Sequence, residues 1–421
     1  MRKGTISSGL RAVCVALAAV LLAGGGALAQ APARGANAHY AFVWTSATGH
    51  DGEGRPGVDF LAVIDADPAS PAYGRLVTAV ATDQVSMNAH HTEYVMPEGG
   101  MLFANDHNAG RSFLFDLRIP EQPKVAMSFR DVAGFSSPHS FARLPNGNVL
   151  ATFMHSESHG AGHSADGHRV GGLVELGVDG TLVRAASAKD PAFPHAVLMQ
   201  YGLAVLPAID RVVSTNSSMR SVDRDGSTYQ VWRLSDLKLL STHQFDPGPQ
   251  LVGHTDPEEP RVAPDGSVLV QTLSCGLQRI TGLDTDRPQA KLVHQFPGGG
   301  CGVPTIVDNY LIQSVPNIHG VVVLDIRRPD RPVEVSRLSV SDTLNAHWTG
   351  WDARTGRLAL TGYPPGDTRF YLLKLDRETG QVALDQAFKD KSGKLGFSFE
   401  PRSWPHGWTG AAVPHGVVFS R

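Results

Sequence analysis

Asn88-Ala89-His90-His91-Thr92-Glu93-Tyr94-Val95-Met96-Pro97-Glu98-Gly99-Gly100 sets a pattern that returns down the chain: a histidine, a short apolar strand, then a Pro-x-Gly turn. It recurs as His139-Ser-Phe-Ala-Arg-Leu-Pro145-Asn-Gly147, from His254 to Pro264-Asp-Gly266, and from His406 to Pro414-His-Gly416. His347-Trp-Thr-Gly-Trp-Asp-Ala-Arg-Thr-Gly356 is a variant without the proline. Self-similarity at a steady period marks a repeat fold, in which no unit buries its apolar surface alone.

A second unit of strand, turn and strand alternates with the first. Its copies include Asp59-Phe-Leu-Ala-Val-Ile-Asp65 with Asp67-Pro-Ala-Ser-Pro71, Arg111-Ser-Phe-Leu-Phe-Asp116 with Ile119-Pro-Glu-Gln-Pro123, and His319-Gly-Val-Val-Val-Leu-Asp325 with Arg328-Pro-Asp-Arg-Pro332, and there are seven in all. The histidine-led strands start near His91, His139, His195, His254, Cys301, His347 and His406, again seven. Four antiparallel strands in roughly 45 to 60 residues is the size of a propeller blade. The chain opens on outer-type strands (residues 40–80) and closes on inner-type ones (residues 408–419), so neither end completes a blade by itself. Pairing the two ends closes the ring and removes the exposed edge of an open sheet. The expectation is an all-β, seven-bladed β-propeller closed by pairing of N- and C-terminal strands, with residues 39–421 as one domain.

Composition agrees with an ordinary globular chain: 421 residues, 42% hydrophobic, 18% charged, net charge −3. No basic stripe is present, so nucleic acid is not an expected partner. Met1-Arg-Lys, the apolar run from Ala12 to Leu28, and Ala27-Leu28-Ala29 before Gln30 carry the three parts of a secretory signal. Residues 1–29 are therefore read as a signal peptide and 30–38 as a flexible lead-in. No later stretch is apolar enough to span a bilayer, so a periplasmic or secreted protein with no stable membrane insertion after cleavage is expected. Cys14 leaves with the signal. Cys275 and Cys301 can pair in an oxidising compartment, but as members of neighbouring repeats they need not come within bridging distance.

In a propeller the innermost strands line a central channel, and equivalent positions of successive blades converge on the axis. Leaving His195 aside, histidine at five further strand starts of the seven (His91, His139, His254, His347, His406) exceeds what strand propensity supplies. Any one of them can be a hydrogen-bonding post between strands. As a ring, they bring imidazoles within reach of one transition-metal ion, with Glu93 or Glu259 to orient a ligand from behind. The polar tract from His155 to His168 holds four histidines and reads as a solvated loop or a metal-collecting one. His107, His319 and His415, among others, lack equivalents and are read as turn or surface residues.

Several of these segments resemble the selenium-binding protein / methanethiol oxidase family: Asp59 to Tyr73 followed by the paired His90-His91, Arg111 to Asp116 with its Pro-x-x-Pro turn, the Gly171-Gly172 strand, Ile318 to Pro332, and Pro405-His406 near the end. The resemblance implies a seven-bladed propeller that binds copper through histidines. In exported bacterial members it implies oxidation of methanethiol by O₂ and water to formaldehyde, hydrogen sulfide and hydrogen peroxide. His90, His91, His139 and His406 are the residues that match, whereas His254 and His347 come from the repeat alone. The family's cysteine motif after the paired histidines is absent, and Thr92-Glu93-Tyr94 stands in its place.

The expected function is thus an exported copper-dependent oxidoreductase, with iron or zinc as alternative metals, acting on a small thiol with O₂ and loaded by a copper-delivery protein. The expected metal residues are His90, His91, His139, His254, His347 and His406. A non-catalytic metal-binding or metal-delivery propeller is the second reading. A propeller hydrolase or lactonase ranks last, since its calcium or zinc calls for carboxylates among the inner-strand ligands.

Overall fold

Strands such as Gly320–Asp325 are apolar without alternation because both of their faces are covered, while blade-edge strands such as Leu182–Ser187 alternate in exposure. This gradient from buried to wet is what a radial stack of sheets requires. A computed structural model describes residues 38–85, 88–156, 170–219, 227–245 and 256–421, and residues 38–421 fall into one unit. The unit contains seven antiparallel sheets, six of four strands and one of five. The protein is a seven-bladed β-propeller. The expected signal peptide, the lead-in before Ala38, His254 and most of the histidine-rich tract lie outside the described residues. No helix among the described residues is long and apolar enough to cross a membrane.

The five-stranded sheet joins the two ends of the chain. Thr409–Phe419 lies between Arg402–Ser403 and Tyr40–Thr48, followed by Val58–Asp65 and Leu76–Val85. Ala41 faces Phe419 and Thr45 faces Pro414. The other blades begin with inner strands Ala89–Thr92, Phe135–Arg143, Gln200–Leu206, Pro257–Val262, Thr305–Val307 and Ala346–Asp352. Aromatic side chains pack between blades: the Trp44 indole sits 5.5 Å and 5.4 Å from the rings of Phe113 and Phe115, and its N–H donates to the Asn105 carbonyl at 2.7 Å.

Two of the Pro-x-Gly turns close their inner hairpins in the same way. Gly147 donates its N–H to the Leu144 carbonyl and Gly266 to that of Ala263, with φ of +87° and +81°, a region glycine enters without strain. Trp404-Pro405-His406-Gly407 makes the same turn: the Gly407 N–H reaches the Trp404 carbonyl at 2.9 Å and φ is +88°. The strand start expected at His406 is therefore a turn, and Pro414-His415-Gly416, expected as a turn, lies within the innermost strand. Cys275 and Cys301 form a disulfide with Cα atoms 5.0 Å apart, tying two neighbouring blades. The pairing removes Cys301 from the candidate ligands.

Candidate metal centre

Six of the seven innermost strands carry a β-bulge, and these bulges build the site. Between Ala89 (facing Asp106) and Thr92 (facing Ala104), His90 and His91 oppose the single residue Asn105. In the next blades His139 and Ser140 oppose Thr152, Tyr201 and Gly202 oppose Thr215, and Glu258 and Glu259 oppose Gln271. His347 is the extra residue between Ala346 and Trp348, and His415 and Gly416 oppose Trp44. A bulge bends its strand and re-aims the doubled residues. Here it turns them towards the axis.

In four of the six bulges the residue opposite supplies a side-chain oxygen to the amide that the bulge strands. His91 N–H donates to Asn105 Oδ1 (2.7 Å), Ser140 N–H to Thr152 Oγ1 (2.8 Å), Gly202 N–H to Thr215 Oγ1 (3.0 Å) and Glu259 N–H to Gln271 Oε1 (3.0 Å). Without such an acceptor a buried amide would be left unpaired at a cost of about 1–3 kcal/mol. Polar residues in these second strands thus make the bulges affordable to a buried core.

Five imidazoles meet as a result. His90 stacks on His91 with ring centroids 4.2 Å apart and lies 4.3 Å from His415 and 4.9 Å from His139. His91 and His139 are 4.4 Å apart, and His347 and His415 are 4.5 Å apart. His107, from the turn after the second strand of that blade, stands 5.4 Å from His90. Ligand atoms of His90, His91 and His139 lie within 4.8 Å of one another, and so do those of His90, His347 and His415.

Hydrogen bonds fix which nitrogen is free. His139 Nδ1 is 3.1 Å from the Tyr201 carbonyl oxygen, which only accepts, so Nδ1 bears the proton and Nε2 keeps its lone pair. His91 Nδ1 lies 3.2 Å from both Glu259 Oε1 and Ser140 Oγ, and the Ser140 hydroxyl itself donates to Glu259 Oε1 at 2.6 Å. His91 Nδ1 is accordingly the donor as well. The Nε2 atoms of His91, His139 and His347, Nδ1 of His90 and both ring nitrogens of His415 are buried without a hydrogen-bond partner among the described residues. Buried nitrogens left over in such numbers at one point are the donor set a metal ion satisfies.

Burial, reinforced by the charges of neighbouring imidazoles, depresses the pKa of His90, His139 and His415 well below the ordinary value and that of His347 to about 3. His107 falls to about 4 for the same reasons. These rings are neutral at physiological pH, as ligands must be. Burial opposes ionisation of Glu259, but the His91 imidazole donating to it, the Arg261 guanidinium and the Ser140 hydroxyl hold it at about 2. Burial pushes Glu258 up to about 8, so this carboxyl carries a proton at neutral pH.

Of the expected residues, the structure brings His90, His91, His139 and His347 together. His406 stands apart in its turn, 4.8 Å from the Phe60 ring. His195 is exposed in a turn, and Tyr201 occupies the equivalent bulge. Glu259 stands behind His91, whereas Glu93 is turned aside to pair with Arg143 at 2.7 Å. His415 and His107 were missed. Proline precedes the bulge residue in Pro138-His139, Pro257-Glu258 and Pro414-His415, but Pro405-His406 carries the same pair, so no local signal singled out His415.

His91 packs on Trp348 at 5.1 Å, and Trp348 stacks on Tyr94 at 5.1 Å, with the Arg261 guanidinium over Tyr94 at 3.9 Å. Beyond this lies a cavity of about 580 Å³ lined by Tyr94, Arg261, Ile306, Trp351 and Val418 among others, none of its lining residues a histidine.

No family model matches the chain. Among curated proteins, the methanethiol oxidase of a Hyphomicrobium species is 30% identical over 127 residues, which is 28% of this chain and only 27% of that protein's length. Among solved structures, a hypothetical selenium-binding protein from Sulfolobus tokodaii has a TM-score of 0.64 at 15% identity, covering 90% of this chain and 93% of that one. The periplasmic gluconolactonase of Pseudomonas aeruginosa has a TM-score of 0.60 at 13% identity, covering 91% of this chain and 99% of that one. At such identities the structural likenesses establish the fold and not the chemistry. In sequence, over about a quarter of its length, the chain resembles a methanethiol oxidase, and its fold is that of a selenium-binding protein.

Proposed function

We propose that this propeller is an exported copper-dependent oxidoreductase that acts on a small thiol, converting methanethiol, O₂ and water to formaldehyde, hydrogen sulfide and hydrogen peroxide. The observation that carries the reading is the cluster of buried imidazoles whose unshared nitrogens come within metal-binding reach of one another. Partial sequence likeness to a methanethiol oxidase supports the substrate class, and the disulfide supports an oxidising compartment. His90, His91 and His139, with His347 and His415 beside them, would hold the metal, and imidazole donors suit copper, zinc, iron and nickel. Copper bound there supplies the one-electron steps that thiol oxidation by O₂ requires.

The chain's own residues then have defined tasks. Glu259 and Ser140 orient His91 and set a negative charge behind it, raising the basicity of Nε2. The Tyr201 carbonyl does the same for His139 without a charge. Trp348 and Tyr94 cover one side of the cluster against water. Glu258, pushed up to about 8 by burial, accepts a hydrogen bond from the Gln271 side-chain amide at 2.6 Å and stays out of the ligand set.

The test is to load the protein with copper and follow hydrogen sulfide and peroxide released from methanethiol. Copper-replete protein that releases neither defeats the substrate assignment. A second reading, a metal-binding or metal-delivery propeller, is favoured by one observation: the place of the family's cysteine motif is taken by Thr92-Glu93-Tyr94, whose glutamate is committed to Arg143. Under that reading copper transfers to an acceptor protein and thiol is left unchanged.

A further inference from the structure

We infer that the cluster holds two first-row transition-metal ions, one between His91 and His139 and one between His347 and His415, with His90 facing both. The inference rests on the metal reading above and extends it. The five imidazoles form two sets that share His90, and among the described residues no single set of that tightness takes in all five. A metal–imidazole bond is about 2.0–2.1 Å, so two donors to one ion cannot stand more than about 4.2 Å apart. Donors that fail to come within 4.8 Å of one another therefore cannot share an ion as they stand.

Ring positions agree. The rings pair at 4.4 Å (His91 and His139) and 4.5 Å (His347 and His415), while the crosswise pair His91 and His415 is 5.6 Å apart. His90 lies against both pairs, 4.2 Å from His91 and 4.3 Å from His415, with His139 at 4.9 Å and His347 at 6.4 Å, and its ligand atoms fall within reach of each set. Each set also has its own unshared buried nitrogens: Nε2 of His91 and His139 in one, Nε2 of His347 and the ring nitrogens of His415 in the other. One ion would satisfy one set and leave the other empty-handed. The surroundings differ as well. Glu259 and the Tyr201 carbonyl back the first pair, while the second is flanked by the Tyr363 ring, 5.2 Å from His347 and 5.7 Å from His415. Two sites of unequal affinity follow, the carboxylate-backed one tighter.

Zinc titration against a chromophoric chelator, with elemental analysis after desalting, reads the count directly. It is done on the chain carrying His155→Gln, His159→Gln, His163→Gln and His168→Gln, so that the histidine-rich tract adds nothing. Two zinc ions per chain are expected, the second bound at least tenfold more weakly. His139→Ala and His347→Ala should each retain one ion, the double variant none, and His90→Ala should weaken both sites at least tenfold. Circular dichroism checks that each variant is folded. Should a variant not fold, electron paramagnetic resonance of the otherwise unaltered chain decides: a second equivalent of copper(II) should broaden the signal of the first through spin coupling. Saturation at one ion, or a second equivalent that adds an unperturbed signal, overturns the two-ion centre while leaving the metal reading intact. No bound metal at all overturns both.

Discussion

Glu259→Gln keeps the shape of the side chain and removes its charge, so its effects isolate the electrostatics behind His91. The carboxylate is fully buried, 3.2 Å from His91 Nδ1 and 3.2 Å from Arg261 Nη1, and accepts the Ser140 hydroxyl at 2.6 Å. Its pKa of about 2 against an ordinary 4.5 is a gap of roughly 2.5 units, worth ~3 kcal/mol of folding stability at neutral pH. Loss of one partner of a buried ion pair costs about 3–5 kcal/mol, in line with that figure. Because the folded pKa is the lower one, this stability is present above about pH 4.5 and drains away as pH falls towards about 2. The variant should therefore be less stable by ~3 kcal/mol at pH 7, and the difference should shrink below about pH 4.5. Zinc affinity should fall roughly 10- to 100-fold, the usual effect of removing the group behind a ligating histidine. Urea denaturation of metal-free protein at pH 7, 4.5 and 3, with chelator competition for zinc, measures both. A loss below about 1 kcal/mol with no pH dependence, or zinc affinity within twofold of the parent, refutes the role given to Glu259.

Other outcomes follow from the same geometry. His107 and His347 are held neutral with pKa values of about 4 and 3, below the 6.5 of an unfolded chain, so each draws stability from the metal-free protein as pH falls from about 6.5 towards those values. The slope is about 1.4 kcal/mol per pH unit per histidine, and saturating zinc should move the loss to lower pH, as seen by thermal melts between pH 7 and 4. Asn105→Ala strands the His91 amide and frees the Pro138 carbonyl, which Asn105 Nδ2 reaches at 2.8 Å. It should cost ~2–4 kcal/mol in urea denaturation and weaken zinc binding, whereas an unchanged affinity would show that the bulge does not place His91. His406→Ala should leave metal content and affinity unaltered while His415→Ala reduces both, a contrast that elemental analysis settles.

Much of the architecture was legible in the order of residues. Repeated Pro-x-Gly turns, strands without alternation and complementary half-units at the two ends point to a closed ring of seven sheets, because each reflects local backbone geometry or the cover on a strand's faces. The paired His90-His91 and His139 were legible too, since they sit at the head of a strand that the turn pattern locates. The last blade was not. Pro405-His406-Gly407 and Pro414-His415-Gly416 are alike in sequence, and either can be read as a turn or as a strand.

What chooses between them is pairing with residues hundreds of positions away. Thr45 faces Pro414 and Val43 faces Val417, which forces His415 out of register and towards the axis. A strand's side chains alternate with a period of two, so a slip of one residue carries a side chain from one face to the other. The sequence by itself determined the fold, the count of blades and most of the histidines. Only the tertiary structure decided which residues stand in the bulges, because a bulge exists relative to the partner strand and not within its own.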